Sequence, residues 1–151
     1  MATRSNIAYK TAEGKIRSVY CHWDGYPEHN GEMLNRYYTD FDKVKALVDL
    51  GSLSCLRPKL NAQEGKHNFE SPQEDVTIAY HRDRGESLHI SEYDNVADYV
   101  ADGEEYMYLY SNGEWLVNDH QQKDSNGFPV FDFVSVKIRP DVMKNMGWDE
   151  A

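Results

Sequence analysis

The segment at residues 105–119, EYMYLYSNGEWLVND, constrains the fold more than any other part of the chain. Tyr106, Tyr108 and Tyr110 alternate with apolar residues, and a Ser-Asn-Gly sequence then separates them from a second run of strand-forming residues. Successive side chains of a strand lie on opposite faces, and Asn-Gly is a favoured pair for a two-residue hairpin turn. The segment therefore predicts a β-hairpin with the three tyrosines on one face.

Further strands are predicted in four segments, at residues 5–10, 15–23, 74–82 and 130–138. The first two are separated by a short turn that contains Gly14, which is typical of a second β-hairpin. In the second of them, side chains alternate between a packed face and a more polar face. Trp23 falls on the packed face, so we expect it to belong to the core.

Four helices are predicted, at residues 29–38, 39–51, 94–103 and 139–148. The second is the best defined, because Thr39 or Asp40 can cap its N-terminus and Gly51 can end it. Its residues with helical spacing form an apolar stripe of Phe41, Val44, Leu47 and Val48.

The chain of 151 residues fits a single domain. Residues 57–74 are predicted to form a long exposed loop, and residues 148–151 a loose C-terminal end. Helices that are grouped between hairpins, rather than alternating strictly with strands, are typical of α+β folds, here with a mostly antiparallel sheet of about six strands and about four short helices. No apolar run approaches the ~20 residues of a membrane span, so no membrane association is expected.

The negative charge of the chain is concentrated in one segment. The formal net charge is -10, and residues 85–122 contain nine acidic residues but neither Lys nor Arg. An acidic surface repels the phosphate backbone, so direct binding of nucleic acid is not expected. A localised acidic surface suits a basic protein partner, and the alternative is a solvated face that keeps the protein soluble.

The first candidate site lies in the stretch VYCHWDGYPEHN at residues 19–30. His22 and Asp24 stand near the end of a predicted strand, and His81 stands at the end of another. These residue types bind metal ions, but their spacing matches no established ligand motif, so no metal and no cofactor is predicted. The alternative is that the stretch is a strand end and turn that organises the fold.

A second candidate lies in HRDRGES at residues 81–87. Two arginines at a strand end can hold a phosphate or a carboxylate in a bidentate manner. They can equally pair with their neighbours Asp83 and Glu86. An alternative ligand-binding site therefore consists of His22, Asp24, His81, Arg82 and Arg84.

No catalytic residue is predicted. Cys21 falls on the packed face of its strand, where a thiol is buried and unreactive. No Ser or Thr stands in a nucleophile-elbow sequence, and the chain contains neither a P-loop nor a dinucleotide-binding motif. Cys21 and Cys55 are expected to be reduced thiols rather than a disulfide.

The tyrosines of the predicted hairpin lie within the segment that has no basic residue. Tyrosine provides a large contact area at a low cost in conformational entropy and is enriched at protein interfaces. Tyrosine rings among carboxylates can imitate the bases and phosphates of nucleic acid, whereas the alternative is that the rings pack beneath the helices. The predicted partner contact consists of Asp94, Asp98, Asp102, Glu104, Glu105, Tyr106, Tyr108 and Tyr110.

Five segments carry a resemblance to a known group of proteins. They are ATRSNIAY at residues 2–9, VYCHWDGYPEHNG at 19–31, YYTDFDKVKALVDLGSLSCL at 37–56, AYHRDRGE at 79–86 and EEYMYLYSNGEW at 104–115. With these segments the chain resembles small accessory proteins encoded by bacteriophages and prophage-bearing bacteria, and the octet YCHWDGYP is the most specific of the motifs. The resemblance implies a protein made inside an infected bacterial cell, and it implies no site residues.

Composition and resemblance together lead to one expected function and two alternatives. We expect an inhibitor that acts in the cytoplasm of the bacterial host and binds a basic surface of a host protein, one that serves defence or handles nucleic acid. The first alternative is a small-molecule protein, either a nucleotide-signal sponge or a metal-dependent hydrolase, that uses the site around His22 and Arg84. The second is an assembly factor that forms a homo-oligomer.

Overall fold

An α+β fold is built on one mixed sheet in the computed structural model, which describes residues 3–60, 75–101, 104–119, 126 and 133–135. The strands are β1 (Ser5–Lys10), β2 (Ile16–Cys21), β3 (Leu53–Cys55), β4 (Ile78–Ala79), β5 (Ser91–Tyr93), β6 (Tyr106–Ser111), β7 (Glu114–Asp119) and β8 (Val134–Ser135). The helices are a π-helical turn (Pro27–Gly31) that continues into α1 (Glu32–Tyr37), then α2 (Phe41–Asp49), α3 (Tyr80–Arg84) and α4 (Val96–Ala101).

The strands follow the order β4-β3-β2-β1-β6-β7-β8, and β5 pairs with β2 outside this path. Neighbours are antiparallel, except that β1 runs parallel to β6 and β2 runs parallel to β3. The prediction of an α+β fold with a mostly antiparallel sheet is confirmed, and the sheet contains more strands than predicted. β3 and β5 have three residues each, which is too short for an alternating pattern to reveal them.

Both predicted hairpins are present, with β1 paired to β2 and β6 paired to β7 over their full lengths. The second turn consists of Asn112 and Gly113, with φ of 53° and 81°. Both central residues of a type I′ turn require this left-handed conformation, which Asn and Gly adopt most readily. Because β1 and β6 are parallel neighbours, the turns that follow them lie at the same end of the sheet, which we call the turn end.

Helices cover both faces of the sheet. On one face, Ile7 and Tyr108 of the sheet belong to the same buried cluster as Leu47 of α2, and we call this the α1/α2 face. On the other face, Ala8 of β1 and Tyr99 of α4 share a second buried cluster, and we call this the α4 face. The sheet is therefore buried from both sides, which explains why its strands carry apolar residues at successive positions.

The strand predicted at residues 74–82 is wrong in its second half. Extended structure covers Ile78–Ala79, and the chain then turns directly into α3. The Asp83 carboxylate accepts a hydrogen bond from the Ala79 N–H at 2.8 Å, which satisfies a free donor at the start of this helix. Gly85 ends the helix with φ of 77°, a conformation that favours glycine.

Two aromatic residues that the sequence predicts to be core are exposed. Phe41 is 44% exposed and Trp23 is 41% exposed. Phe41 is the first residue of α2, and its ring meets Tyr9 edge-on with ring centroids 5.5 Å apart. Trp23 lies two residues beyond the end of β2, and its N–H still donates to the Ser54 carbonyl oxygen at 3.0 Å. The next residue, Asp24, adopts a left-handed conformation with φ of 56°, and regular extended structure ends there.

Several predictions fall on parts of the chain that lie outside the described residues. These parts are residues 61–74 of the predicted loop, most of the strand at 130–138, the helix at 139–148 and the C-terminal end at 148–151.

Within the described ranges, the helices are all too short or too polar to cross a membrane.

Tyr99 provides a test of the packing on the α4 face. Its side chain is fully buried, and its hydroxyl donates a hydrogen bond to the carbonyl oxygen of Tyr108 at 2.8 Å. Tyr99→Phe leaves that buried carbonyl without this donor, so we expect the free energy of unfolding to fall by about 1–2 kcal/mol in urea denaturation. Tyr99→Leu also removes the ring and should cost more; equal losses would contradict a packing role for the ring.

Candidate functional site

The predicted site around His22 and His81 does not assemble. His22 lies just beyond the end of β2, and His81 lies in α3, just beyond the end of β4. Cys21 at the end of β2 pairs with Leu53 of β3, and Leu53 pairs with Ala79 at the end of β4, so the two strand ends lie side by side, two strand spacings of roughly 4.8 Å apart. Beyond these ends the two chains run in opposite directions, which carries His22 and His81 away from one another. Within the described ranges, no group of three metal-binding side chains is present.

Both histidines have local hydrogen-bond partners. The Tyr20 hydroxyl and His22 Nδ1 share a hydrogen bond of 2.6 Å. His81 Nδ1 lies 2.7 Å from the Glu86 carbonyl oxygen, which is an acceptor, so this nitrogen carries the donated proton. These contacts agree with the interpretation of the two segments as local turns.

Arg82 is engaged inside the protein. Its guanidinium group forms a bidentate pair with Asp83, from Nε to Oδ1 at 2.9 Å and from Nη2 to Oδ2 at 3.0 Å. It also donates to the carbonyl oxygens of Leu60 and Thr77, at 2.5 and 2.6 Å. Arg82 therefore holds the junction between β4 and α3 together, and little of its donor capacity is left for a ligand.

Arg84 lies at the surface and pairs with Glu86 at 3.3 Å, and both side chains are about half exposed. An exposed pair of this kind contributes about 1 kcal/mol or less to stability. Both arginines thus pair with neighbouring acids, which is one of the two arrangements that the sequence allows.

The interior of the stretch at residues 19–30 contains a buried polar cluster, which is centred on Asn30. The Asn30 amide donates to Ser5 Oγ at 3.2 Å and to Cys21 Sγ at 3.5 Å. Its Oδ1 accepts a hydrogen bond from His29 Nδ1–H at 2.8 Å. Burial raises the pKa of the Cys21 thiol to about 12, so this group is not a thiolate nucleophile at neutral pH. The cluster ties the turn to the first residue of β1.

Two of the three hairpin tyrosines cannot contact a partner. Tyr108 is 0% exposed and Tyr110 is 7% exposed, and both rings belong to the buried cluster on the α1/α2 face. The Tyr108 hydroxyl donates to the Gly25 carbonyl oxygen at 2.6 Å, and the Tyr110 hydroxyl donates to the Thr39 carbonyl oxygen at 2.8 Å. The predicted contact is wrong for these two residues, because the helices cover the face that carries them. Tyr106 is partly buried against the same cluster.

Glu104 and Glu105, also predicted to contact a partner, lie away from the turn end. Both are partly buried and precede β6. The Glu104 N–H donates to Asn6 Oδ1 at 2.8 Å, which places these glutamates beside the start of β1. The six residues of β1, roughly 20 Å of strand, separate that position from the turn end. Asp102 lies outside the described residues.

Asp94 belongs to a second acidic group, which lies at the turn end. Lys15 approaches Glu92 at 3.5 Å and Asp94 at 3.9 Å, and the two acidic side chains are 50% and 82% exposed. Asp98 follows in the first turn of α4 and is also exposed. Exposed pairs are weak, so basic side chains of a partner can take the place of Lys15.

Carboxylates from other segments join Asp94 at the turn end. They come from the turn between β1 and β2, the start of α2, β5 and the start of β7, and all are exposed. We call this set the acidic end: Glu13, Asp40, Asp42, Glu92, Asp94 and Glu114. Glu13, Asp40 and Asp42 were not predicted to belong to this surface. The prediction grouped acidic residues that are close in the sequence, and the parallel pairing of β1 with β6, which brings these three residues to the same end, was not predicted.

A cleft of about 450 Å³ opens at the acidic end. Its walls are the turn after β1 and the turn after β6, and Phe41 of α2 lies between them. Among the described residues that line it there is no carboxylate, so the side chains of the acidic end surround the cleft rather than fill it.

Comparison of the chain with protein-family models, with curated proteins and with solved structures gives no match. The function is therefore argued from the geometry of this chain.

Replacement of Arg82, with replacement of Arg84 as a control, tests whether Arg82 stabilises the fold. In Arg82→Ala the Asp83 side chain, which is 4% exposed, loses its charged partner, and we expect the free energy of unfolding to fall by about 3–5 kcal/mol. Arg84→Ala is the matched control, with an expected loss of about 1 kcal/mol or less. Urea denaturation measures both, and an Arg82→Ala protein as stable as the control would contradict the structural role.

His29 is expected to make stability depend on pH. It is 7% exposed, and burial lowers the pKa of its imidazole below the ordinary value of 6.5. The unfolded chain binds the proton more readily, so this contribution to stability is complete above pH 6.5 and is lost as the pH falls below that value. His29→Gln should show a shallower decrease of the unfolding free energy between about pH 7 and 5. An unchanged slope would contradict the assignment.

Proposed function

We propose that the protein acts by binding a basic surface of another protein through the acidic end. The observation that carries this proposal is the convergence of six exposed carboxylates from separate segments on one end of the sheet, next to a cleft. Carboxylates held on rigid strands and helix ends provide electrostatic complementarity, which guides and orients association with a basic partner.

The resemblance to bacteriophage accessory proteins suggests which partner to test first. We extend the proposal to a host protein in the cytoplasm of the infected bacterium, either a defence protein or one that handles nucleic acid. Proteins of either kind that bind nucleic acid present basic surfaces, because they must bind phosphate backbones. An acidic protein bound to such a surface excludes nucleic acid sterically and neutralises the positive charge that nucleic acid would bind.

The geometry gives less support to a small-molecule function. His22 and His81 each have a hydrogen-bond partner in their own segment, and the guanidinium group of Arg82 is bound to Asp83 and to two backbone carbonyl oxygens. A site assembled from these residues would require Arg82 to give up these contacts.

Charge reversal at the acidic end tests the proposal. We expect Asp94→Lys combined with Glu114→Lys to remove binding of the host partner, because two attractive charges become repulsive. The matched control is Asp75→Lys combined with Glu86→Lys, which changes the net charge equally at two positions near β4 and α3 whose side chains are about half exposed. Binding is measured by pull-down with the full chain from a lysate of the bacterial host, followed by titration of the purified partner.

Three results together would support the proposal. The control variant should retain binding, the acidic-end variant should lose it while keeping the unfolding temperature of the parent protein, and binding should weaken as salt rises through about 0.1–0.5 M. Equal binding by both variants, or binding that does not change with salt, would show that the acidic end is not the contact surface.

A further inference from the structure

The cleft at the acidic end contains an aromatic ring that the fold leaves exposed. Phe41 is 44% exposed, although it is a large apolar residue at the first position of α2. Its edge-on contact with Tyr9, at 87° between ring planes, leaves a face of the Phe41 ring available to the cleft. An exposed ring in a concave site is a common feature of binding pockets, which combine an apolar surface with a few polar groups.

Polar groups of the two hairpin turns stand on either side of this ring. Thr11 and Asn112 line the cleft and provide a hydroxyl and an amide oxygen that can accept hydrogen bonds. The Thr11 hydroxyl oxygen already accepts the Lys15 N–H at 3.1 Å, which fixes its position in the turn. The cleft thus offers a ring face together with fixed acceptors.

Lys10 is among the described residues that line the cleft, but its side chain projects from the opposite face of the sheet. Lys10 pairs with Ile16 across the β1–β2 hairpin, and paired residues project to the same face. Ile16 belongs to the buried cluster on the α4 face, whereas Phe41 contacts Tyr9 on the α1/α2 face. The ammonium group of Lys10 is therefore directed away from the ring of Phe41.

Acidic side chains flank the ring on several segments, and Lys45, one helical turn beyond Phe41, is the nearest exposed lysine of α2. Asp40 and Asp42 flank Phe41 in the sequence, Glu13 lies within the first turn, and Glu114 follows the second turn. All four side chains are exposed. A cation that approaches the cleft therefore passes carboxylates beside each of its walls, and attraction between exposed charges acts over about 10 Å at 0.1 M salt.

We infer that the cleft binds an arginine side chain presented by the basic partner, with the guanidinium plane stacked on the ring of Phe41. Arginine is the basic side chain that stacks on aromatic faces, and its planar fork of N–H groups suits several acceptors at once. The hydroxyl and amide oxygens of the turns would accept its hydrogen bonds, and the surrounding carboxylates would attract its charge. This inference rests on the proposed function, because it specifies the type of side chain through which the basic partner would anchor the contact.

The test uses the full chain and short peptides, and it requires no knowledge of the partner. The probe is the tripeptide acetyl-Gly-Arg-Gly amide, followed by the chemical shifts of backbone amides in NMR spectra. We expect saturable shifts confined to the two turns at residues 11–14 and 111–114 and to the start of α2. The matched peptide with citrulline in place of arginine keeps the shape and removes the charge, and it should not bind.

Variants of Phe41 separate stacking from general attraction to negative charge. Phe41→Ala should weaken binding of the arginine peptide by about 2- to 30-fold, and Phe41→Leu, which keeps apolar bulk without a ring, should weaken it similarly. The position is exposed, so both variants should keep the unfolding temperature of the parent protein. A third matched peptide carries lysine in place of arginine and should bind more weakly. Equal binding of the lysine peptide, equal binding of the citrulline peptide, no saturable shift, or an unchanged affinity in Phe41→Leu would each overturn the inference.

Failure of this inference is distinguishable from failure of the proposed function. If the arginine peptide does not bind while charge reversal at Asp94 and Glu114 still removes the host partner, the acidic end is the contact surface and the cleft is not an arginine pocket. If the peptide binds in the cleft while charge reversal leaves partner binding unchanged, the arginine site exists and the proposed contact surface is wrong.

Discussion

The parallel pairing of β1 with β6 is the constraint on which the rest of the molecule depends. It joins two antiparallel hairpins that are separated by most of the described chain, and it requires the chain between them to cross the sheet. The crossing segments supply α2 for one face and α4 for the other. The same pairing places both hairpin turns at one end of the sheet, so that short polar turns with their carboxylates form a single surface.

The many tyrosines of the chain act as connections between layers. The hydroxyl groups of Tyr38, Tyr108 and Tyr110 each donate to a backbone carbonyl oxygen in a connecting segment, at 2.5–2.8 Å. Trp115 does the same through its indole N–H, which donates to the Tyr38 carbonyl oxygen at 2.7 Å. A buried tyrosine thus combines apolar burial with satisfaction of a carbonyl group that has no partner in the sheet.

Local patterns predicted the local structure, and they did not predict what depends on distant contacts. The two hairpins and α2 were predicted, because alternation, turn residues and the Asp40 cap act within a few residues. The turn into α3 was missed, since it depends on one carboxylate bonding back to the Ala79 N–H. The exposed state of Phe41 and the convergence of the acidic end were missed as well, because both follow from the order of strands in the sheet.

The π-helical turn before α1 has a consequence for how this chain can change. A π-helical turn holds about one residue more than an α-helical turn, and here it contains the first three of six consecutive buried residues, from His29 to Leu34. Loss of a single residue from Pro27–Gly31 would restore α-helical geometry and leave the later side chains of α1 close to their present orientation, because the π-helical turn absorbs its extra residue without rotating the helix that follows. In this region an evolutionary deletion would shorten the chain by one residue and preserve the buried face of α1.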